Sequence, residues 1–199
     1  MKIIMLGAQG DIGRAACAEL GPRHQIIKAG RSSGDVMVDM SDRASVDAMY
    51  AQTGPVDAVV VMAGDVHFEI LTRFTEDQYM QGLREKVMGQ VNVVLSGLSQ
   101  VNDAGSLTLT SGILDRDPIR MGSGAAMANG ALAGFVTGAV IEMPRGIRIN
   151  VVSPGLLDVS VERYGEWFPG HNPVCSRRVG RAYAKSVEGP TTGKIIPVD

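Results

Sequence analysis

The sequence predicts a single α/β domain, residues 1–199, whose parallel sheet of about seven strands is doubly wound and carries helices on both faces. Three observations predict it. Strand and helix patterns alternate along the whole chain. A glycine-rich turn, Gly7–Gly13, joins the first strand pattern to the first helix pattern. The nearly continuous apolar run Asp57–Met62 is typical of a strand that is buried on both faces of a parallel sheet.

The individual elements follow from hydrophobic period, caps and breakers. Gly21-Pro22 and Gly54-Pro55 end the first two helices, and Thr75-Glu76-Asp77-Gln78 is a capping box that opens the third. The predicted strands are Lys2–Leu6, Gln25–Ala29, Val36–Val38, Asp57–Met62, Ser106–Thr110, Ile147–Val152 and Lys194–Val198. The predicted helices are Ile12–Leu20, a helix capped by Ser41 that ends at Ala51, Ala125–Glu142 and Ser176–Val187. A further helical region, either continuous or broken, is predicted from Thr75 to about Val101.

Composition and charge limit the partners that the chain is expected to have. A net charge of -2 gives no reason to expect nucleic acid or an anionic membrane as a partner. Cys17 and Cys175 have no metal-ligand spacing, so no metal site is expected, and a reducing cytoplasm is the expected location. The uncharged stretch Met121–Ile141 has the length of a membrane span, but its polar residues and glycines favour a tightly packed helix of a soluble protein.

The turn Gly7–Gly13 is the strongest functional signal, because it lies between a strand and a helix. Glycines allow the tight turn and a close approach of the backbone to a pyrophosphate, and the following helix N-terminus supplies amide donors and partial positive charge. The turn therefore predicts a nicotinamide dinucleotide site on a Rossmann-type fold.

Further motifs, most of them directly after a predicted strand and the others entering the sixth strand or forming the last one, give a family resemblance along essentially the whole length. They are Gly7–Gly13, Asp39–Asp42, Met62–Gly64, Leu109–Gly112, Arg145–Asn150, Ser153–Gly155, Thr192–Lys194 and Pro197–Asp199. In these motifs the chain resembles the short-chain dehydrogenase/reductase family. The resemblance implies a homodimer or homotetramer that binds a nicotinamide dinucleotide and a small-molecule substrate, whose identity the sequence leaves open.

The resemblance also implies roles by position. Asp39-Met40 would contact adenine. Ala63-Gly64 would run alongside the adenosine ribose, and Met62 stands where the family usually has asparagine. Pro154-Gly155 would lie near the nicotinamide. The implied cofactor-binding residues are Gly7, Gln9, Gly10, Asp11, Ile12, Gly13, Arg31, Ser32, Asp39, Met40, Met62, Ala63, Gly64, Pro154 and Gly155.

Arg31 and Ser32 follow the second strand, where members that use NAD usually carry an acid. A guanidinium there can pair with the 2′-phosphate of NADP, so NADP is expected over NAD. The alternative is that Arg31 is only a solvated loop residue.

The active site departs from the family pattern. The family reduces carbonyls with a Tyr-x-x-x-Lys pair, in which the lysine lowers the pKa of the tyrosine. Ala125 and Asn129 stand at these two positions, and no other Tyr-x-x-x-Lys occurs. The family's serine falls on Gly112, with Ser111 one residue away, and the asparagine of its preceding helix falls on Lys86.

No substitute set is evident in the sequence. Ser111 is a weak catalytic candidate that could bind a carbonyl, against the simpler interpretation of a loop serine. The other candidates have equally simple structural interpretations: Lys86 as a solvated helix lysine, His67 as a surface histidine, Asp115 and Asp117 as turn formers, Trp167 and Phe168 as packing residues. The leading hypothesis is an atypical family member that binds NADP(H), nominally an oxidoreductase, without the standard catalytic residues. Three functions remain: a non-catalytic cofactor sensor, a reductase with another proton donor, and a scaffold with a vestigial site. The intact glycine turn favours the first two over the third. For typical carbonyls and alcohols, little or no turnover is expected.

Overall fold

A computed structural model describes all residues, 1–199, and its centre is one seven-stranded parallel sheet. The strand order is β3-β2-β1-β4-β5-β6-β7. The strands are β1 Lys2–Leu6, β2 Gln25–Gly30, β3 Val36–Met37, β4 Val56–Val61, β5 Val101–Thr110, β6 Arg148–Pro154 and β7 Ile195–Val198. The order reverses between β1 and β4, and in such sheets ligands bind at the carboxyl ends of the strands beside this switch point.

Seven α-helices connect the strands. They are α1 Asp11–Leu20, α2 Arg43–Thr53, α3 Glu76–Gly82, α4 Gly89–Gly97, α5 Ser123–Ala139, α6 Val161–Tyr164 and α7 Ser176–Glu188. A π-helical turn, Leu83–Met88, joins α3 to α4. Short 3-10 turns cover Leu71–Arg73, Ile113–Asp115, Val140–Glu142, Pro144–Gly146, Asp158–Ser160 and Gly165–Trp167.

Successive side chains of each strand point to opposite faces of the sheet, which divides the core into two layers. On β1, Ile3 and Met5 pack into a cluster that contains residues of α1 and α7. Ile4 and Leu6 point to the opposite face, into a larger cluster that contains residues of α2, α4 and α5. All four side chains are buried. The predicted doubly wound α/β fold is therefore confirmed.

Several predicted boundaries differ from the observed ones, and two of the differences have a clear local reason. Asp42 caps α2 by accepting a hydrogen bond from the Ala44 amide, whereas the predicted cap, Ser41, donates its amide and hydroxyl to Asp39. The helix that was expected to reach Val101 ends at Gly97, and Val101 instead pairs with Val56 as the first residue of β5.

Helix α5 and the turn that follows it, Ser123–Glu142, are long and apolar enough to cross a membrane by length and composition alone. The buried side of α5 carries Ala128, Leu132 and Val136 into the larger core cluster. Its glycines Gly130 and Gly134 face open space, with no atom within 4 Å of an added Cβ. One side of α5 is thus core, and the other presents small residues at the surface.

Candidate functional site

The glycine turn lies at the carboxyl end of β1 and is too tight for side chains. Gly7 has φ +79°, and a Cβ on it would lie 2.8 Å from the Met62 carbonyl carbon. A Cβ on Gly13 would lie 2.2 Å from the Gly7 oxygen. Helix α1 starts after Gly10 with no side chain capping its amides. This bare backbone fits a dinucleotide pyrophosphate, because it leaves room for close approach and offers unpaired helix N–H groups.

A cavity of about 250 Å³ lies on one side of the turn, at the carboxyl ends of the first four strands. Six residues of the implied cofactor set line it: Gly7, Arg31, Asp39, Met40, Ala63 and Gly64. The hydrogen bonds from Ser41 hold the pKa of the Asp39 carboxyl below its usual value, and attraction from Arg31 adds to this. Asp39 therefore stays ionised beside an exposed guanidinium.

The structure does not place Ser32 in the lining of this cavity. Its neighbour Ser33 makes the contact to the turn, donating its hydroxyl to Gln9 Oε1 over 2.8 Å. The sequence gives two adjacent serines in an irregular loop, and only the loop conformation decides which of them meets the turn.

A second cavity of about 590 Å³ lies on the other side of the turn. Gly10, Asp11 and Ile12 of the turn form part of its lining. Fourteen of its 24 lining residues are hydrophobic. Met62, Pro154 and Gly155 of the implied cofactor set lie here. A dinucleotide can thus extend from the smaller cavity, across the glycine turn, into the larger one.

Trp167 and Phe168 also line the larger cavity, in the segment that follows β6. Asp11 connects this segment to the glycine turn: its carboxylate accepts a 2.7 Å hydrogen bond from Ser160 and pairs with Arg163 and Arg14. The bond from Ser160 and the two guanidinium groups lower the Asp11 pKa despite some desolvation. We call residues 156–174 the lid segment.

Polar groups in the larger cavity meet at the carboxyl end of β5. Lys86 Nζ donates to Asn129 Oδ1 over 2.6 Å and to the Ser111 carbonyl over 3.3 Å. Burial lowers the pKa of Lys86 to about 8, although attraction from Asp115 raises it. The interpretation of Lys86 as a solvated helix lysine is therefore wrong. The sequence does place a lysine and an asparagine in each other's expected positions, and this exchange is the signal that could have found the pair.

Two backbone features make room for the Lys86 side chain. Lys86 lies in the π-helical turn, an irregularity that is frequent at functional sites. Gly64 has φ +140°, and a Cβ on it would lie 2.7 Å from Lys86 Cγ. Any side chain larger than hydrogen at residue 64 would thus displace the lysine.

Ser111 completes the cluster. Its residue is 5% exposed and its hydroxyl has no hydrogen-bond partner in the protein. Gly112 and Ala125 line the same cavity, and a Cβ on Gly112 would lie 3.1 Å from Asn129 Nδ2. A buried hydroxyl without a partner is costly to leave unpaired, and rotation of this side chain towards the cavity would let it meet a ligand oxygen or water.

The remaining candidates lie outside the lining of both cavities. His67 lies 2.9 Å from the Gln78 side-chain nitrogen and packs edge-on against Phe74. Asp117 lies 3.5 Å from His171 Nδ1. Asp115 acts on the site only through space, by its attraction on Lys86. No group of three or more His, Cys, Asp or Glu side chains is arranged to hold a metal.

Comparisons with known proteins agree with this geometry. A sequence profile described as "Enoyl-(Acyl carrier protein) reductase" matches residues 5–170. The crystal structure of the protein lin1944 from Listeria innocua superimposes with a TM-score of 0.98 at 46% identity, covering 100% of both chains. A small-chain dehydrogenase in complex with NADPH gives a TM-score of 0.87 at 25% identity, covering 100% of this chain and 96% of that one.

Among curated proteins, the uncharacterized oxidoreductase YmfI of Bacillus subtilis is 25% identical over 183 residues, which is 79% of this chain and 75% of that protein. The cyclic-di-GMP-binding biofilm dispersal mediator protein of Escherichia coli is 27% identical over 125 residues, but the match spans only 53% of its length.

Proposed function

The chain belongs to the short-chain dehydrogenase/reductase family, and on that premise we propose that it is an oxidoreductase that binds NADP(H) and acts on an apolar small molecule. The observation that carries the proposal is an arrangement of neighbouring features along the carboxyl edge of the sheet: the smaller cavity, called the adenosine-side cavity from here on, the bare glycine turn and the larger apolar cavity. A bound dihydronicotinamide would supply a hydride there.

The preference for NADP(H) rests on Arg31. Its exposed guanidinium lines the adenosine-side cavity, where a 2′-phosphate would lie. The NADPH-bound relative supports the same cofactor. The free cysteines Cys17 and Cys175 are consistent with the proposed cytoplasmic location, and the small-residue surface of α5 with a homodimer or homotetramer.

A second candidate function is cofactor binding without turnover. Ala125 and Asn129 favour it, because neither side chain can replace a phenol that must exchange a proton.

The experiment is a fluorescence titration with NADPH and with NADH, followed by a screen of carbonyls and alcohols. NADPH is expected to bind more tightly than NADH. Equal affinities would contradict the NADP(H) assignment, and no binding of either would contradict the proposed function. Binding without turnover of any compound would favour the second candidate.

A further inference from the structure

The larger cavity has one charged group at its buried end. Its wall is mostly apolar, with Val66, Leu114 and Phe168 among the lining residues, and Lys86 lies among them. The other charged lining residues are Asp11 and Arg120. Asp11 is already paired with arginines, and Arg120 is exposed to solvent. Lys86 is thus the buried cation of this cavity, and Arg120 is the exposed one.

Two hydrogen bonds fix the Lys86 ammonium in place and leave its third N–H without an acceptor in the protein. Two of its three N–H donors have protein acceptors, Asn129 Oδ1 and the Ser111 carbonyl. The Ser111 hydroxyl, in the same cluster, has no partner. The ammonium thus has one N–H without a protein acceptor, and the Ser111 hydroxyl, which is occluded from solvent, can donate to the same ligand oxygen once its side chain turns towards the cavity that the residue lines.

We propose that Lys86 is the proton-donating catalytic residue of this protein and that it forms, with Ser111, the binding site for the carbonyl oxygen of an apolar ketone. This inference rests on the proposed function, because it needs the hydride of a bound dihydronicotinamide.

Atoms and charges balance in this scheme. The hydride adds to the carbonyl carbon and the dihydronicotinamide is oxidised. As the C=O π bond breaks, its electron pair takes a proton from Lys86 Nζ, giving the alcohol and a neutral amine. Water then returns a proton to Lys86. Asn129 holds the amine in position through its Oδ1, and Ser111 donates its hydroxyl to the developing oxyanion.

The lysine's ionisation suits this task. Burial brings its pKa to about 8, so the ammonium is the main form at pH 7 and can lose a proton more readily than an exposed lysine. Asp115, which attracts the ammonium through space, opposes that shift, and Asp11 and Arg120 are the other charged groups around the cavity.

The first test uses binding. Benzoate serves as the probe, because it carries an oxygen anion on an apolar ring, and its dissociation constant is measured by calorimetry on the NADP⁺ complex. Lys86→Met is expected to weaken benzoate binding about tenfold or more, the usual effect of losing a charge-assisted hydrogen bond. Ser111→Ala is expected to weaken it less. Lys185→Met, which removes an exposed lysine of α7, is the matched control and should bind as the unmodified protein does.

The second test measures NADPH oxidation with acetophenone, cyclohexanone and 1-phenylpropane-1,2-dione. In contrast to the low turnover expected from the missing Tyr-x-x-x-Lys pair, the unmodified protein should reduce at least one of these ketones, with kcat/KM falling as the pH rises through about 8. Lys86→Met should lower kcat by roughly 10²–10⁴. Lys86→Arg should retain benzoate binding but lose turnover, since a guanidinium keeps its proton near neutral pH.

The outcomes separate the two proposals. Each variant is first checked for NADPH binding by fluorescence, so a misfolded variant is recognised. Absence of NADPH binding in the unmodified protein overturns the proposed function. When NADPH binding is normal, any of three results overturns the role of Lys86. The unmodified protein binds no benzoate, Lys86→Met binds benzoate as tightly as the unmodified protein does, or no ketone is reduced. Turnover that survives Lys86→Met overturns it equally.

Discussion

Arg31 lies at the end of β2 with its guanidinium exposed beside Asp39. Arg31→Asp is expected to weaken NADPH binding by roughly ten- to a hundredfold, because a charge-assisted hydrogen bond is worth about 1.5–3 kcal/mol. NADH binding should change little, so the preference should vanish or reverse. Fluorescence titration measures both affinities, and Arg177→Asp on the exposed side of α7 controls for net charge. An unchanged NADPH affinity would contradict the assignment of Arg31.

Asp11 is the residue that fastens the lid segment to the glycine turn. Its folded pKa is lowered, first by the bond from Ser160, so its stabilising effect is present above the unfolded value of about 3.9 and is lost as the pH falls through the lower folded value. Asp11→Asn should therefore speed hydrogen exchange in the lid segment at pH 6, and the difference from the unmodified protein should shrink in acid.

Mass spectrometry of exchanged peptides measures this effect. Glu162→Gln in the same segment is the control, because Glu162 is exposed and takes part in no ion pair. Equal exchange in Asp11→Asn and Glu162→Gln would mean that the ion pairs do not restrain the lid.

At the scale of elements, a larger side chain on the outward surface of α5 tests whether this helix contacts a second copy of the chain. Gly134 faces open space within one chain, so Gly134→Leu should leave the folded protomer intact. In the proposed dimer or tetramer it should overpack a helix contact at a cost of about 1–3 kcal/mol and shift the protein towards smaller species. Ala51→Leu, at an exposed position of α2, is the matched control.

Light scattering coupled to size exclusion gives the mass of each variant. An unmodified protein that stays monomeric at every practical concentration would contradict the proposed oligomer. An oligomer whose mass is unaffected by Gly134→Leu would place the interface elsewhere.

The elements were predictable where local chemistry decides them. The capping box at Thr75 forms as expected, with both of its hydrogen bonds present. The π-helical turn was not predictable, because Leu83–Met88 carries an ordinary helical pattern. The contacts of Lys86 were not predictable either, because Gly64 and Asn129 lie in other parts of the sequence.

For the whole molecule, the glycine turn and the strand alternation were sufficient to predict the sheet, and both cavities lie at the edge of the sheet that carries the glycine turn. The larger cavity was not predictable in the same way. The apolar lid residues Trp167 and Phe168 give no polar signal, and the partnerless hydroxyl of Ser111 is visible only when neighbours in space are known. Sequence spacing thus indicates which of the family's residues are absent from their expected positions, whereas only the fold shows which side chains meet there.

The most direct test of the account is a crystal structure of the protein grown with NADPH. The account predicts electron density along the carboxyl edge of the sheet: the 2′-phosphate beside Arg31, the pyrophosphate against Gly10–Gly13, and the nicotinamide in the larger cavity with Lys86. Density for the cofactor elsewhere would contradict it. So would a larger cavity that stays free of nicotinamide while the adenosine side is filled.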